Sequence, residues 1–207
     1  FIGGNVAENA GGGKAVKYGV TSRYVLGLET VMPTGEIVQF GGKLVKDVTG
    51  YNMVQLMVGS EGTLGIFTRI VLKLIALPKG QVDLLCLFPS SEAAIATVPR
   101  ILADGGLTPT SIEFMDRLAV QGACEYLNET LPYEDAGAML LISVDGADVK
   151  RLEEEYDQIG EFCLECGATE VYVADNPTTS ERIWKVRRNI GEAFSLETAP
   201  QCGEDLL

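Results

Sequence analysis

From Val82 onward, apolar runs of strand length alternate with longer stretches of helical period. Val82–Phe88, Thr110–Phe114, Met139–Val144 and Glu170–Val173 predict strands. Between and after them, Ser91–Ala103, Asp116–Asn128, Ala147–Cys166 and Thr179–Phe194 predict helices. The first opens on a Ser-Ser-Glu cap, and the third stops at Gly167. Two βαβ passages with an extra helix between them predict a ferredoxin-like antiparallel sheet with helices on one face, an α+β layer.

Before Val82 the pattern is shorter and broken by glycine. Arg23–Met32 and Glu36–Phe40 predict two strands joined as a hairpin by Pro33-Thr34-Gly35. Met53–Val58 predicts a short helix, and Gly65–Leu74, rich in branched residues, another strand. Phe1–Gly13 reads as a glycine-rich loop. The breaker Leu77-Pro78-Lys79-Gly80 predicts a boundary between a domain over 1–78 and another over 79–207.

Charge sharpens that boundary. Residues 1–78 carry seven Lys+Arg against five Asp+Glu, whereas residues 79–207 carry nine against 24. The net charge of −13 argues against a nucleic-acid partner, which needs a basic face. No apolar run approaches the roughly 20 residues of a spanning helix. Five cysteines, an odd number scattered over 207 residues, point to a reducing compartment and a cytoplasmic protein. The chain has no histidine, so histidine bases, Ser-His-Asp triads and HExxH zinc sites cannot come from it.

The remaining candidate chemistry is backbone chemistry. Ile2-Gly3-Gly4-Asn5-Val6-Ala7-Glu8-Asn9-Ala10-Gly11-Gly12 and Gly59-Ser60-Glu61-Gly62-Thr63-Leu64-Gly65-Ile66 offer N–H groups unscreened by side chains. They suit either tight turns in a β-rich domain or a flat or anionic ligand. Cys163-Leu164-Glu165-Cys166 has CxxC spacing inside an amphipathic helix, with no second pair, and is expected to be buried apolar cysteine rather than a metal or redox site.

The wording of these segments is more specific than their glycine content. "IGGNVAENAGG", "YGVTSRYVLGLETVMPTGEIV", "KDVTGYNMVQLMVGSEGTLGIFTRIVLKL", "SIEFMDR" and "IWKVRRNIGEAF" together resemble the FAD-linked oxidases of the vanillyl-alcohol oxidase / p-cresol methylhydroxylase superfamily. The branch they resemble most contains the glycolate oxidase flavin subunit, D-lactate dehydrogenases and D-2-hydroxyglutarate dehydrogenase. The resemblance implies that 1–78 is the C-terminal part of a p-cresol-methylhydroxylase-type FAD-binding domain, and 79–207 the N-terminal part of a substrate (cap) domain. It implies FAD held by Gly3, Gly4, Asn5, Glu8, Asn9, Ala10 and Gly11, and by Glu61, Gly62, Thr63, Leu64, Gly65 and Ile66. It also implies oxidation of a small D-2-hydroxy acid to the 2-oxo acid. Electrons would pass to an iron–sulfur subunit, an electron-transfer flavoprotein or a quinone, with membrane association through such a partner.

Departures qualify the resemblance. Family members carry an earlier pyrophosphate-binding glycine loop and later histidines that hold a divalent metal and act as base. Neither is in this sequence, which therefore looks like an internal fragment that would not turn over alone and would hold FAD weakly. In Trp184-Lys185-Val186-Arg187-Arg188, the resemblance makes Arg187 the residue that holds the substrate carboxylate, the bland alternative being a solvated helix arginine. The threonine and lysine that assist in hydroxyglutarate enzymes stand here as Gly191 and Gly203, which favours glycolate or lactate over a dicarboxylate. Two other readings are an alkyl-glycerone-phosphate-synthase-like flavoenzyme, disfavoured by Asn5 where that type tends to carry an aromatic, and a non-catalytic module that keeps the fold.

Overall fold

The computed structural model describes residues 1–174 and 176–197, which gather into two compact units, Phe1–Leu77 and a second beginning at Pro78. Cys202 and Gly203 lie outside the described residues.

The first unit is built on a three-stranded antiparallel sheet in which β1 (Val25–Val31) lies between β2 (Ile37–Gly41) and β3 (Ile66–Leu72). The β1–β2 hairpin pairs Val31 with Ile37, and its turn is closed by the Gly35 amide donating to the Met32 carbonyl at 2.8 Å. Gly35 has a φ of 85°, which a residue with a Cβ adopts only at a cost. A small core of Val6, Val25, Leu28, Val54, Met57 and Val58 holds two helices to this sheet. They are α1 (Ile2–Glu8) and, after the short turn α2 (Ala15–Tyr18), α3 (Met53–Met57).

The expected loop over Phe1–Gly13 is therefore corrected in its first half. Gly3 and Gly4 lie in a helix despite costing roughly 0.5–1 kcal/mol each relative to alanine. Tertiary contacts override that penalty: Val6 is fully buried, and the Asn9 cap in the left-handed conformation ends the helix with backbone bonds to Asn5 and Val6.

The second unit is a four-stranded antiparallel sheet in the order β5-β6-β4-β7, formed by β4 (Gly80–Phe88), β5 (Ser111–Asp116), β6 (Ala138–Gly146) and β7 (Glu170–Ala174). This is the ferredoxin-like order. The helices α4 (Ser91–Ala103) and α6 (Val149–Glu165) cover one face, packing Ala94, Ile101, Leu152, Ile159 and Cys163 on Leu84, Cys86, Leu140 and Ile142. The helices in excess of that motif take the opposite face. There α5 (Arg117–Leu127), α7 (Pro177–Arg188) and α8 (Ile190–Glu197) set Val120, Ala123, Ile183, Val186 and Ala193 against Leu85, Leu87, Met139 and Leu141. Both faces of β4 and β6 are consequently dry, and each reads as an apolar run rather than an alternation.

Thr179–Phe194, expected as one helix, is two. The Asn189 side-chain amide donates to the Lys185 carbonyl at 2.8 Å, competing with the helix ladder, and Gly191 follows with low helix propensity. The first of the two pieces is tied to the sheet by a buried carboxylate. Asp83 of β4 is 1% exposed and accepts from Ser143 Oγ, from Ser180 Oγ, from Trp184 Nε1 at 3.1 Å and from Gln81 Nε2 at 3.2 Å.

Removing that carboxylate strands several donors in a dry site. Asp83→Ala is expected to lower the unfolding free energy by about 3 kcal/mol. Glu153→Ala, on the exposed side of α6, should change it by less than about 0.5 kcal/mol. Urea titration followed by the fluorescence of Trp184, the sole tryptophan, measures both.

Candidate flavin-binding loops and a cap-domain arginine

The two glycine motifs of the first unit, with 46 residues between them in sequence, meet in space. The Gly59 amide donates to the Val6 carbonyl at 3.0 Å, and the Glu61 amide to the Ala7 carbonyl at 2.9 Å. The second motif thus supplies a donor to the Ala7 carbonyl at the end of α1 and a second donor to that of Val6, which also accepts from Asn9. The far side of α1 is tied down as well. Asn9 Oδ1 accepts from the Ser22 amide at 2.8 Å, and the Ala10 carbonyl accepts from the Thr21 amide and, at 2.7 Å, from its hydroxyl.

The second motif is a tight turn whose middle is exposed. Glu61 has a φ of 50° and Gly62 a φ of 76°, while the Thr63 amide donates to the Ser60 carbonyl at 2.9 Å. A glutamate in the left-handed region is uncommon and carries a strain that the surrounding bonds must hold. Gly65, by contrast, is packed inside. A Cβ there would stand 2.5 Å from Thr30 Cγ2 and 2.8 Å from the Val31 carbonyl oxygen, so its lack of a side chain is demanded by β1.

Gly3, Gly4 and Gly62 carry no such packing demand, although the positive φ of Gly62 still favours glycine. A Cβ at any of the three would meet nothing within 4 Å. An exposed concavity lined by Gly4, Ala7, Glu8 and Glu61 opens where the two motifs join, and the Ser60 hydroxyl, shielded from solvent, has no hydrogen-bond partner among the described residues. Bare backbone and small side chains at this concavity fit a flat ring and a polyol chain. The two carboxylates suit hydroxyl and amine donors there better than they suit a pyrophosphate. The site thus fits FAD at its uncharged parts.

Of the thirteen residues expected at a cofactor, Gly4, Glu8 and Glu61 line this concavity, and Ala7, not among them, joins it. Asn9 and Ala10 hold the loop rather than face outward, and Gly11 is exposed beyond it. Gly3, Asn5, Gly62, Thr63, Leu64 and Ile66 are at least partly accessible on the two segments, and Gly65 is interior.

In the second unit, Arg187 sits in the last turn of α7, partly exposed but not alone. Its Nε and Nη2 both donate to Oε2 of Glu113 on β5, at 2.9 and 2.7 Å. The neighbouring cations are engaged elsewhere: Arg182 and Lys185 with Glu129, and Arg188 with Glu181. Hydrogen bonds from Arg182 and then Lys185 hold the Glu129 carboxyl below its usual range. The sequence offered Glu113, inside "SIEFMDR", but nothing in one dimension links it to Arg187.

Cys163 lies in the α6 core with Cys86, whose thiol is pushed up by Cys163 and by burial, while Cys166 is partly exposed. Among the described residues no cluster of three His, Cys, Asp or Glu side chains could hold a metal. No described helix is long and apolar enough to cross a membrane.

Comparison with known proteins agrees with the motifs. The family model of the FAD-linked oxidase C-terminal domain matches residues 77–202, and that of an FAD-binding domain matches residues 1–41. The chain is 42% identical over 202 residues to a D-lactate dehydrogenase of Anaerostipes hadrus, covering 95% of this chain and 42% of that protein. It is 40% identical over 194 residues to glycolate oxidase subunit GlcD of Bacillus subtilis, covering 94% and 41% respectively. It thus spans about two-fifths of the length of these curated relatives. An alkyldihydroxyacetonephosphate synthase structure shares the fold, with a TM-score of 0.68 at 23% identity over 94% of this chain and 39% of its own. With a family model on more than half its length and the two glycine segments folded into one exposed cradle, the chain belongs to the FAD-linked oxidases.

Proposed function

We propose that this chain is part of an FAD-dependent enzyme that oxidises a small D-2-hydroxy acid, of the glycolate or D-lactate kind, to the 2-oxo acid. The observation that carries the proposal is the joining of the two glycine segments through Val6, Ala7, Gly59 and Glu61 into a surface with unoccupied room at Gly3, Gly4 and Gly62. The named relatives support the substrate class.

In this reading residues 1–78 are the later part of the FAD-binding domain and residues 79–207 the earlier part of the substrate domain. Gly3, Gly4, Asn5, Glu8 and the Glu61–Leu64 turn hold the cofactor. Asn9, Ala10 and Gly65 keep that surface in place, and Gly11 and Ile66 border it. When bound, the flavin supplies the two-electron acceptor for the hydrogen on C2 of the acid. Arg187 holds the substrate carboxylate through charge-assisted N–H donors and so fixes the direction of C2. The residue that takes the hydroxyl proton, a histidine by family resemblance, lies elsewhere in the longer protein, as does any divalent metal. An iron–sulfur subunit, an electron-transfer flavoprotein or a quinone receives the electrons, in the cytoplasm or at a membrane held by that partner.

Two substitutions in the full-length enzyme test the two halves separately. Gly4→Leu places a Cβ where nothing among the described residues stands within 4 Å, and a helix former where glycine stood, so folding should be unharmed. Flavin affinity should fall by at least about tenfold, read from the ratio of 450 nm to 280 nm absorbance after dialysis, with far-ultraviolet circular dichroism unchanged. Unaltered flavin content would show that the cofactor lies elsewhere. Arg187→Met should lower kcat/KM for D-lactate or glycolate by about one to two decades, with flavin content intact. Arg182→Met, on the same helix, is the control and should change it little.

A further inference from the structure

We infer that Glu113 is a positioning residue for Arg187, clamping one edge of its guanidinium so that the other edge is presented to the substrate carboxylate. The inference rests on the reading of Arg187 given above. Nε at 2.9 Å and Nη2 at 2.7 Å approach a single oxygen, Oε2. A guanidinium carries five N–H donors in a fixed plane. An acceptor shared by Nε and Nη2 uses the side edge and leaves the end edge, Nη1 with the second hydrogen of Nη2, available to a second carboxylate.

The clamp is anchored where it cannot follow the arginine. Glu113 stands on β5 between Ser111 and Met115, both buried, and directly across from Leu141 of β6, also buried. Its side chain is 15% exposed against 37% for that of Arg187. The other cations of α7 differ in this respect. Arg182 and Lys185 share Glu129, which follows Asn128 at the end of α5, and Arg188 pairs within its own helix with Glu181. Only Arg187, among these four, is held by a carboxylate rooted in the sheet. A long side chain with several rotatable bonds thereby loses its freedom before any substrate arrives, which is the condition for a two-pronged carboxylate contact.

The same clamp leaves the pair electrically balanced. Arg187 meets an incoming anion as an oriented donor rather than as a bare positive charge. Losing the clamp should therefore weaken substrate binding more than it slows the chemical step.

Steady-state kinetics of the full-length, FAD-loaded enzyme with D-lactate and glycolate test this. Glu113→Ala should raise KM about five- to tenfold with kcat within about twofold. Glu113→Asp keeps the charge but retracts the acceptor by one methylene, and should raise KM too; it stands in if the alanine variant does not fold. Glu113→Gln offers a carbonyl oxygen to the same two donors and should stay within about twofold of the parent KM. In an Arg187→Met background, Glu113→Ala should add nothing. An unchanged or lowered KM in the alanine and aspartate variants, with Arg187→Met impaired, overturns the positioning role and leaves Arg187 in place. A glutamine variant as impaired as alanine overturns it as well, because charge and not geometry would then matter. Normal kinetics for Arg187→Met overturn the reading of Arg187 itself.

Discussion

The Asp83 carboxylate organises the second unit. It sits 1% exposed on β4, the strand flanked by both β6 and β7, and accepts hydrogen bonds from Ser143 of β6 and from Ser180 and Trp184 of α7. A charge in such a place is tolerable only when donors surround it, and here the donors belong to different elements. Satisfying Asp83 therefore fixes where α7 crosses the sheet. Apolar packing of Ile183 and Val186 holds the helix down but would tolerate sliding, whereas a hydrogen-bonded carboxylate does not. Arg187, one turn beyond Trp184, inherits its position from that registration before Glu113 adjusts its side chain.

The first unit uses the opposite economy, with few side chains and many backbone bonds. Its core is six residues, and the elements that matter are joined through amides and carbonyls at Val6, Ala7, Gly59, Glu61, Ala10 and Thr21. Interactions of this kind depend on conformation rather than on side-chain identity, so the positions that must be glycine and those that merely are glycine can be told apart. Gly65 is required by β1; a Cβ at Gly3 or Gly4 would meet nothing among the described residues. Residues free of internal demand on an otherwise constrained surface are where an external molecule leaves its mark.

Much of this was legible in one dimension. Every strand of the second unit and the β1–β2 hairpin follow from apolar runs, caps and turn residues, because those signals are local. Helix α1 was hidden, since its glycines argue against a helix and its support comes from residues 59–61. The second helical face of the sheet was also hidden: β4 and β6 read as continuous apolar runs, which announce burial on both sides only after α5, α7 and α8 have been placed. The glycine segments and Arg187 stood out through resemblance, whereas Glu113 and Asp83 did not. A lone acid inside an apolar strand looks like noise until its partners, 60 to 101 residues further on, are folded against it.

The position of β4 also sets a timetable. It is the first strand of its sheet in sequence, yet its neighbours are the third and the fourth, so Leu84–Phe88 has no partner until β6 emerges, and no second edge covered until β7 at Glu170–Ala174. The 86 residues from Phe88 to Ala174 take between roughly 4 and 17 s to synthesise at cellular elongation rates of about 5–20 residues per second. Until β6 arrives an apolar, β-prone segment has no strand partner on the nascent chain, and for the whole interval one of its edges stays open, the situation in which unintended strand pairing begins. Asp83 stands at the head of that segment. While water still reaches it, the charge acts as a gatekeeper against association; once Ser180 and Trp184 arrive, the same carboxylate becomes the fastening of the finished sheet.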